Sequence, residues 1–497
     1  MATRQAGRGI VRIVPAVLLA GSLAGCTDFI GGTPDNPNLL EDAAAAQLFT
    51  SVQVNTFFFN EGQVARITAM WLNQMAGTDR QFSTIDRYVI DEVDADVEMA
   101  ALYASGGLRD IRLARSKAEA AGYGRLSAIL KIHEAFLFGM GASIWGDLPY
   151  SGAGNPGTPA PLDAQEAVYA SVQALLDQAI ASLGAAGSAG EQAVLDVRDM
   201  NFRGDAAAWR AVAHTLKARL YLHWVEAQAA GLPAAAAACG GDCLSRALDA
   251  ARNGIASAAG DWEGIHTSTS TENNLWYQFS LDRSGYISAG ELGVSFLRER
   301  GDPRLALFYQ PRADGSFEGS RPGTSEGDPG SGASQLNTRP GGYADAPADL
   351  PIVSCAENRL ILAEVHFRRG SEALAVENLR EGVRCHLAQV GLPASDAAVA
   401  AVLPDPLPSG DGLLREILRQ KYVALFLNME AFNDYKRGCL ADVDAARAGT
   451  SVEGETIPGR LYYGQTERQT NPNIPPPESQ PARNRNDPAP CPAAPAG

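Results

Sequence analysis

Apolar side chains recur at steps of three and four along residues 413–437, which is the spacing of one stripe on a helix. The stripe consists of Leu414, Leu418, Tyr422, Leu425, Met429 and Phe432. Charged residues occupy the opposite positions, namely Arg415, Glu416, Arg419 and Lys421. The pattern predicts one continuous helix with a buried face and a solvated face, ending at Gly438 after a basic last turn.

Similar patterns elsewhere predict a mainly α-helical chain. Further helices are predicted at residues 41–60, 63–75, 99–121, 126–144, 162–183, 243–259, 357–369 and 371–388. Residues 80–96 are expected to form a polar, acidic loop, and Gly, Ser, Pro and Asp dominate a loop-rich insert at about 260–356. Helix pairs joined by short turns suggest hairpins of the tetratricopeptide type, although the repeat signature of that class is degenerate here.

Several short motifs follow one another along this helical chain. They are Trp145-Gly-Asp-Leu-Pro-Tyr150, Gly204-Asp205 with Trp209 and Thr215-Leu-Lys-Ala-Arg-Leu220, Gly301-Asp-Pro-Arg304, Ala363-Glu364 with Arg369-Gly370, and Gln420-Lys421-Tyr422 with Glu430-Ala431-Phe432, Asp434 and Lys436-Arg437. Together they resemble the SusD/RagB family of outer-membrane lipoproteins. Tyr422 and Phe432 stand where that family more often has Trp. The family's last motif is matched by Ile457-Pro-Gly-Arg460, Tyr463, Glu467 and Asn471, except that Gly464 replaces the usual Pro.

The resemblance implies a SusD-like fold over residues 39–474, in which a tetratricopeptide-type scaffold carries an irregular ligand-binding part. It also implies a surface lipoprotein that binds oligomeric nutrients, usually glycans, and delivers them to a SusC-like TonB-dependent transporter. The motifs belong mostly to the scaffold, so they do not identify the ligand. A SusD-like protein that serves peptide uptake is the alternative hypothesis, and an enzyme on a helical scaffold is the third.

The first 38 residues have the pattern of a lipoprotein leader followed by a tether. Three Arg residues precede a short apolar run, and Leu23-Ala24-Gly25-Cys26 fits a lipobox. Residues 1–25 are therefore predicted to be removed and Cys26 to be lipidated, with residues 26–38 as the tether. An ordinary signal peptide with a nearby cysteine is the competing interpretation. The lipobox predicts a lipid-anchored protein, and the family resemblance implies that it lies in the outer membrane and faces the cell exterior.

Composition and motif content limit the partners and the reactions that the sequence predicts for this protein. The formal net charge of -16 argues against nucleic acid as a partner and against electrostatic adhesion to anionic lipid. The sequence contains no G-x-S-x-G, H-E-x-x-H, phosphate-loop or dinucleotide-binding motif, and no acidic or histidine pattern with metal-site spacing. We therefore expect no enzyme activity, no cofactor and no metal. The Pro-rich residues 475–497 are expected to be a disordered tail.

Six cysteines follow Cys26, in a compartment where disulfides can persist. Cys355 and Cys385 lie at the same end of the predicted hairpin of residues 357–369 and 371–388, so a bridge between them is expected. Cys239 and Cys243 can close a small loop, which leaves Cys439 to pair with Cys491. Zinc is the competing interpretation, and the lack of a second ligand pair nearby weakens it.

Two loop regions combine aromatic rings with side chains that can bond to sugar hydroxyls, which is the chemistry of a glycan site. The first region contains Trp71, Asn73 and Arg80. The second region contains Asn273, Asn274, Trp276 and Tyr277. Trp276 is the leading candidate for stacking on a sugar, because its neighbours are polar and no helical period includes it. The alternative is that these aromatic residues are buried anchors beneath long loops.

Overall fold

Helices dominate the computed structural model, which describes residues 43–154, 157–324, 332–438 and 440–487. Those before the insert are α1 (Ala45–Glu61), α2 (Gln63–Trp71), α3 (Arg80–Ile85), α4 (Asp96–Ala101), α5 (Leu108–Ala120), α6 (Gly124–Trp145), α7 (Gln165–Leu183), α8 (Ala189–Arg198), α9 (Ala206–Leu222), α10 (Val225–Ala229), α11 (Pro233–Cys239) and α12 (Cys243–Ala251). Those that follow are α13 (Leu275–Asp282), α14 (Glu291–Arg298), α15 (Arg304–Phe308), α16 (Cys355–Arg368), α17 (Glu372–Gln389), α18 (Asp396–Val402), α19 (Asp411–Ala424), α20 (Glu430–Gly438), α21 (Ala441–Arg447) and α22 (Gln465–Thr470). The predicted mainly α-helical fold is confirmed.

Short strands connect distant parts of the chain within the described residues. They are β1 (Met75–Gly77), β2 (Trp262–Gly264), β3 (Ile287–Ala289), β4 (Tyr309–Gln310), β5 (Gln335–Leu336) and β6 (Leu350–Val353). Each belongs to a two-stranded antiparallel sheet, with β1 paired to β3, β2 to β6 and β4 to β5. The β1–β3 pair fixes the end of the second helix against the insert, and the β2–β6 pair joins the two ends of the insert.

The core is built around α6, whose side chains are apolar on nearly every side and buried over most of its length. A helix of this kind needs neighbours on all its faces, and α5, α7 and α9 pack against it. Gly139 permits the close approach of α9, because a Cβ at this position would lie 2.8 Å from Leu220. No helix among the described residues has the length and apolar content needed to span a membrane.

The predicted helix at residues 413–437 is in fact two helices, α19 and α20, separated by residues 425–429. The buried amide of Gln74 donates to the carbonyls of Tyr422 (2.9 Å) and Leu425 (3.2 Å), and it accepts from the N–H of Leu427 (3.0 Å). Leu427 has a φ of 63°, which a continuing right-handed helix does not allow. A side chain from α2–β1 thus takes the hydrogen bonds that would have continued the helix.

The predicted solvated face of this segment is also wrong for Glu416 and Lys421, which are both buried. Glu416 accepts two hydrogen bonds of 2.7 Å from Arg300, and Lys421 pairs with Glu364 at 3.2 Å. Their charges are therefore satisfied inside the protein rather than by water. Charge alone does not place a side chain at the surface when a partner of opposite charge arrives from another helix.

Further boundaries differ from the prediction. The helices predicted at residues 63–75 and 243–259 end earlier, at Trp71 and Ala251. Residues 99–121 contain the end of α4, a turn and α5, because Gly106 has a φ of +82° and lies directly against the backbone of Ser51. The expected loop at residues 80–96 contains the short helix α3.

The chain beyond Pro475 remains packed as far as residue 487. Asn486 accepts a hydrogen bond of 2.8 Å from Gln165, and Asn484 donates one of 2.8 Å to the carbonyl of Ser143. Both asparagines are buried. The expectation of a disordered tail is therefore wrong for residues 475–487, where amide side chains bond to α6 and α7. Residues 488–497 lie outside the described residues.

Two disulfides are present in the described residues. Cys355–Cys385 joins the start of α16 to α17 with a Cα–Cα distance of 5.8 Å, at the end of the hairpin where the sequence places it. Cys239–Cys243 joins α11 to α12 with a Cα–Cα distance of 5.3 Å. Cys26, Cys439 and Cys491 lie outside the described residues, as do the predicted leader and tether.

Candidate functional site

The first predicted region consists of two buried anchors and one exposed arginine. Trp71 is 1% exposed and donates from its indole Nε1 to the carbonyl of Ile85 at 3.0 Å. Asn73 is fully buried, and its Oδ1 accepts from the N–H of Leu292 at 2.9 Å. The prediction that Trp71 and Asn73 contact a ligand is wrong, because both use their polar atoms to hold the chain. The side chain of Arg80 is 67% exposed and remains a candidate.

The second region begins with residues that start a helix. Asn274 is buried, and its Oδ1 accepts from the N–H groups of Trp276 (2.9 Å) and Tyr277 (3.1 Å), which makes it the N-cap of α13. Its Nδ2 also donates to the carbonyl of Ala348 at 2.9 Å. Asn273 is buried, with its backbone carbonyl bonded to Gln278. Asn274 is therefore structural, and Asn273 lies beneath the surface.

Trp276 is 1% exposed, so its ring is not a surface platform for a sugar. The guanidinium of Arg66, from α2, lies 5.7 Å from the centre of the Trp276 ring. The prediction of an exposed stacking ring at this position is wrong, because α13 turns Trp276 inward. Tyr277, one position further along α13, is half-buried and keeps part of its side chain in solvent.

The structure brings the two predicted regions together. The Thr78 hydroxyl, just after β1, donates to the carbonyl of Gly285 at 2.7 Å. The ring of Phe82 on α3 contacts those of Phe279 and Tyr286, with centroid distances of 5.1 and 6.2 Å. The two regions are more than 180 residues apart in the chain. Their common surface therefore exists only in the folded protein.

Arginines cover the rings on this surface. Arg66 lies 4.7 Å from the centre of the Phe279 ring, and Arg80 and Arg283 lie 5.6 and 5.9 Å from that of Tyr286. All these distances are within the range of cation–π attraction. Phe279 and Tyr286 are half-buried, whereas Arg80 and Arg283 are exposed. We call Arg66, Arg80, Arg283, Phe279 and Tyr286 the arginine–aromatic surface.

Arg66 is the least solvated cation of the arginine–aromatic surface. Burial lowers its pKa to about 10, the carboxylates of Glu98 and Glu61 act against this, and the positive charge of Arg283 lowers the pKa further. The guanidinium remains charged at neutral pH. Since Arg66 and Arg283 repel each other, a negatively charged group bound between them would relieve the repulsion.

A cleft of about 310 Å³ lies between the insert and the end of α17. Its lining includes Glu263, Tyr343, Asp349 and Gln389. Burial raises the pKa of Glu263 to about 7, and the nearby negative charge of Asp349 adds to this effect. Carboxyl groups and an amide beside a tyrosine ring can bond to sugar hydroxyls. No local sequence pattern predicts this cleft, because its residues come from separate segments of the insert and from the end of α17.

His266 connects the cleft to the core. Its Nε2 lies 2.9 Å from Oε2 of the buried Glu61, its Nδ1 lies 3.3 Å from the carbonyl of Glu272, and its backbone N–H donates to Asp349 at 2.7 Å. Both ring nitrogens face acceptors, so the geometry fits an imidazolium that donates on both sides. Burial lowers the pKa of His266, but the hydrogen bond and charge of Glu61 outweigh burial and leave the pKa above its ordinary value. The His266–Glu61 pair thus fixes the loop that leads to Asn273.

Among the described residues, no group of three His, Cys, Asp or Glu side chains is arranged to hold a metal ion. The arginine–aromatic surface and the cleft offer a ligand charge pairing, hydrogen bonding and ring contact. The profile of the family described as SusD-like, starch-binding and associating with the outer membrane, matches residues 37–464. This match spans most of the sequence.

The chain belongs to the SusD-like family.

Solved structures with similar folds include SusD-like proteins. A chitin-binding protein has 22% identity and a TM-score of 0.72, over 89% of this SusD-like chain and 99% of its own. A chitin-binding SusD homolog from Flavobacterium johnsoniae has 17% identity and a TM-score of 0.68, with 89% and 97% covered. A SusD-like protein from Bacteroides thetaiotaomicron has 18% identity and a TM-score of 0.71, also with 89% and 97% covered. These likenesses establish the fold. No curated protein sequence matches the chain.

The SusD-like motifs of the sequence form the scaffold behind the site. Trp145 donates from Nε1 to the carbonyl of Tyr462 at 3.0 Å, which holds the C-terminal segment against the end of α6. Arg219, from the motif on α9, donates to the carboxylate of Glu357 at 2.6 and 2.5 Å, and both side chains are buried. The residues that carry the resemblance are therefore structural, whereas the arginine–aromatic surface lies outside the motifs.

Proposed function

We propose that this protein is a lipid-anchored outer-membrane lipoprotein that binds oligosaccharides and delivers them to a SusC-like TonB-dependent transporter. The observation that carries the proposal is the match of residues 37–464 to a family described as starch-binding and associating with the outer membrane. Structural relatives described as chitin-binding support a glycan as ligand. The lipobox at Leu23-Ala24-Gly25-Cys26 supports the anchor.

The arginine–aromatic surface supports binding by an open surface rather than a closed pocket. Tyr277 and Tyr286 are half-buried, so part of each side chain remains in solvent where a ligand can make contact. The arginines beside them supply several N–H donors, and the cleft at Glu263 and Asp349 supplies acceptors for sugar hydroxyls. An oligosaccharide presents several sugar units, so separate units can contact separate groups of this kind.

Glycan binding is tested with the mature lipoprotein in mild detergent on an array of neutral, amino and acidic oligosaccharides, with peptides of matched length on the same array. We expect binding to oligosaccharides and no cleavage of them on prolonged incubation. The result that contradicts the proposal is binding to peptides alone or to nothing on the array. Release of shorter sugars would favour the alternative of an enzyme on this scaffold.

Association with a transporter is tested by purifying the native protein from its own membranes. A lasting complex buries more than about 2,000 Å² in total, so it should survive extraction in mild detergent. We expect a large β-barrel protein to co-purify in a constant ratio. Repeated recovery of the protein alone at full yield would count against the delivery role, while leaving the binding role in place.

A further inference from the structure

We propose that the arginine–aromatic surface recognises the acidic groups of an anionic glycan, namely sugar carboxylates or sulfates, rather than the apolar faces of neutral sugars. This inference rests on the proposed function and adds the chemical class of the ligand.

The first support is that cations occupy the ring faces. A neutral sugar stacks on an aromatic ring when the face of that ring is open. The guanidinium of Arg66 lies 4.7 Å from the centre of the Phe279 ring, and Tyr286 has Arg80 at 5.6 Å and Arg283 at 5.9 Å. These rings hold the arginines in place, so the groups presented to a ligand are positive charges.

The second support is that the acidic residues near Arg66 have other partners. Glu61 accepts from His266, and Glu98 accepts from the backbone N–H of Gln63 at 2.5 Å. Within the described part of the chain, the buried Nε of Arg66 has no hydrogen-bond partner, and its Nη1 makes a long contact of 3.4 Å to the carbonyl of Glu61. The donors of Arg66 are therefore not saturated by the protein.

The other two arginines, Arg80 and Arg283, make few ion pairs with carboxylates of the described residues. Arg80 pairs with Asp79 at 3.6 Å, which is a long distance for an ion pair, and exposed pairs of this kind interact weakly. Arg283 is exposed and close enough to Arg66 for their charges to repel. Three guanidinium groups therefore lie together on a protein whose formal net charge is -16. Planar guanidinium groups bind carboxylate and sulfate oxygens in pairs of hydrogen bonds.

The third support is an indole N–H donor beside Arg66. Among the described residues, Nε1 of Trp276 has no hydrogen-bond partner, although the residue is only 1% exposed. A buried N–H without a protein partner suits an acceptor such as a carboxylate or sulfate oxygen. The centre of the Trp276 ring lies 5.7 Å from the guanidinium of Arg66, next to the proposed site.

The test compares glycans that differ only in charge. Titration calorimetry is performed on the mature lipoprotein with an oligogalacturonate, with its methyl ester, and with sulfated and unsulfated forms of one oligosaccharide. We expect at least one anionic form to bind about tenfold or more tightly than its neutral counterpart, and the preference to fall with added salt. The two anionic arms distinguish carboxylate from sulfate recognition.

Arginine variants test whether the arginine–aromatic surface causes the preference for anionic glycans. Arg66→Gln and Arg283→Gln should each weaken binding of the anionic glycan by about tenfold, a loss of roughly 1.4 kcal/mol. Arg283→Lys should bind the anionic glycan more tightly than Arg283→Gln does, because it keeps the positive charge. Arg252→Gln is the matched control, because Arg252 is an exposed arginine beside α12, which packs on α9 and α16. Arg283 is exposed, so its variants should keep the thermal melting temperature and remain informative if Arg66→Gln fails to fold.

The outcomes separate this inference from the function on which it rests. Equal or tighter binding of the neutral forms, or arginine variants that bind as the parent does, would overturn the anionic class while leaving glycan binding intact. Failure to bind any oligosaccharide, neutral or anionic, would overturn the proposed function itself.

Discussion

Arg437 and Glu364 are joined by two hydrogen bonds of 2.6 and 2.7 Å, although 73 positions separate them in the chain. Both side chains are buried, at 2% and 0% exposure. Lys421 donates to the same carboxylate at 3.2 Å and to Asp434 at 2.7 Å. Charged residues from separate SusD-like motifs thus meet in one ion network where α16, α19 and α20 come together.

Replacing Glu364 with Gln should lower the free energy of unfolding by about 3–5 kcal/mol, because two buried cations lose the carboxylate they share. Chemical denaturation of the two proteins measures the difference. Glu377→Gln is the control, since Glu377 is an exposed residue of the neighbouring α17 and its loss should cost about 0.5 kcal/mol or less. Equal stability of Glu364→Gln and the parent would show that the network contributes nothing.

The same network predicts a pH dependence. Burial raises the pKa of Glu364, but the charges of Arg437, Lys421 and Arg368 outweigh burial and hold the pKa well below its ordinary value. The stabilisation is therefore complete above about pH 4.3, the ordinary value, and declines as the pH falls through the lowered pKa. The stability difference between the parent and Glu364→Gln should shrink between about pH 7 and about pH 3. A difference that stays constant over this range would contradict the assignment.

The two disulfides should differ in their contribution to stability. Cys355 and Cys385 are 30 positions apart, and closing that loop in the unfolded chain is worth roughly 3–4 kcal/mol. Cys239 and Cys243 are 4 positions apart, for which the same relation yields roughly 2 kcal/mol. Paired Cys→Ser variants of each bridge, compared by chemical denaturation, should follow this order. Non-reducing peptide mapping checks that both bridges form, and free thiols at Cys355 and Cys385 would refute the first.

The His266–Glu61 pair should make the loop of residues 264–274 sensitive to pH. Because Glu61 raises the pKa of His266, this stabilisation is complete below the ordinary value of about 6.5 and is lost as the pH rises through the raised pKa. Hydrogen exchange of this loop, corrected for intrinsic rates, should therefore accelerate at alkaline pH. His266→Gln should remove the change, and His214→Gln, on α9, should keep it. Loop protection that is independent of pH in the parent would contradict this.

Lipidation at Cys26 is tested by following Cys26→Ala through detergent phase partitioning. We expect the parent in the detergent phase and the outer-membrane fraction, because several acyl chains bury enough methylene groups for stable anchoring. The variant should move to the aqueous phase. A variant as membrane-bound as the parent would place the anchor elsewhere in the chain.

In the insert, the local sequence pattern is not sufficient to predict which side chains are exposed. The family resemblance implies that this insert is the ligand-binding part, but its polar composition led to the prediction that Trp276 is exposed. Asn274 caps α13, and this helix then carries Trp276 beneath Arg66, a residue 210 positions earlier in the chain. Arg66 itself gave no local signal, since an arginine on a predicted helix is normally a solvated side chain.

The sequence by itself determined the helices whose apolar spacing is complete, such as α6, and the hairpin of α16 and α17 with the cysteines at one end. Helical hydrogen bonds and side-chain periodicity are local, so they can be inferred from neighbouring residues. Only the tertiary structure decided the break between α19 and α20, because the groups of Gln74 that replace the helical hydrogen bonds come from about 350 residues away. The candidate site depends in the same way on charges and rings that meet through folding, since electrostatic and ring contacts act through space rather than along the chain.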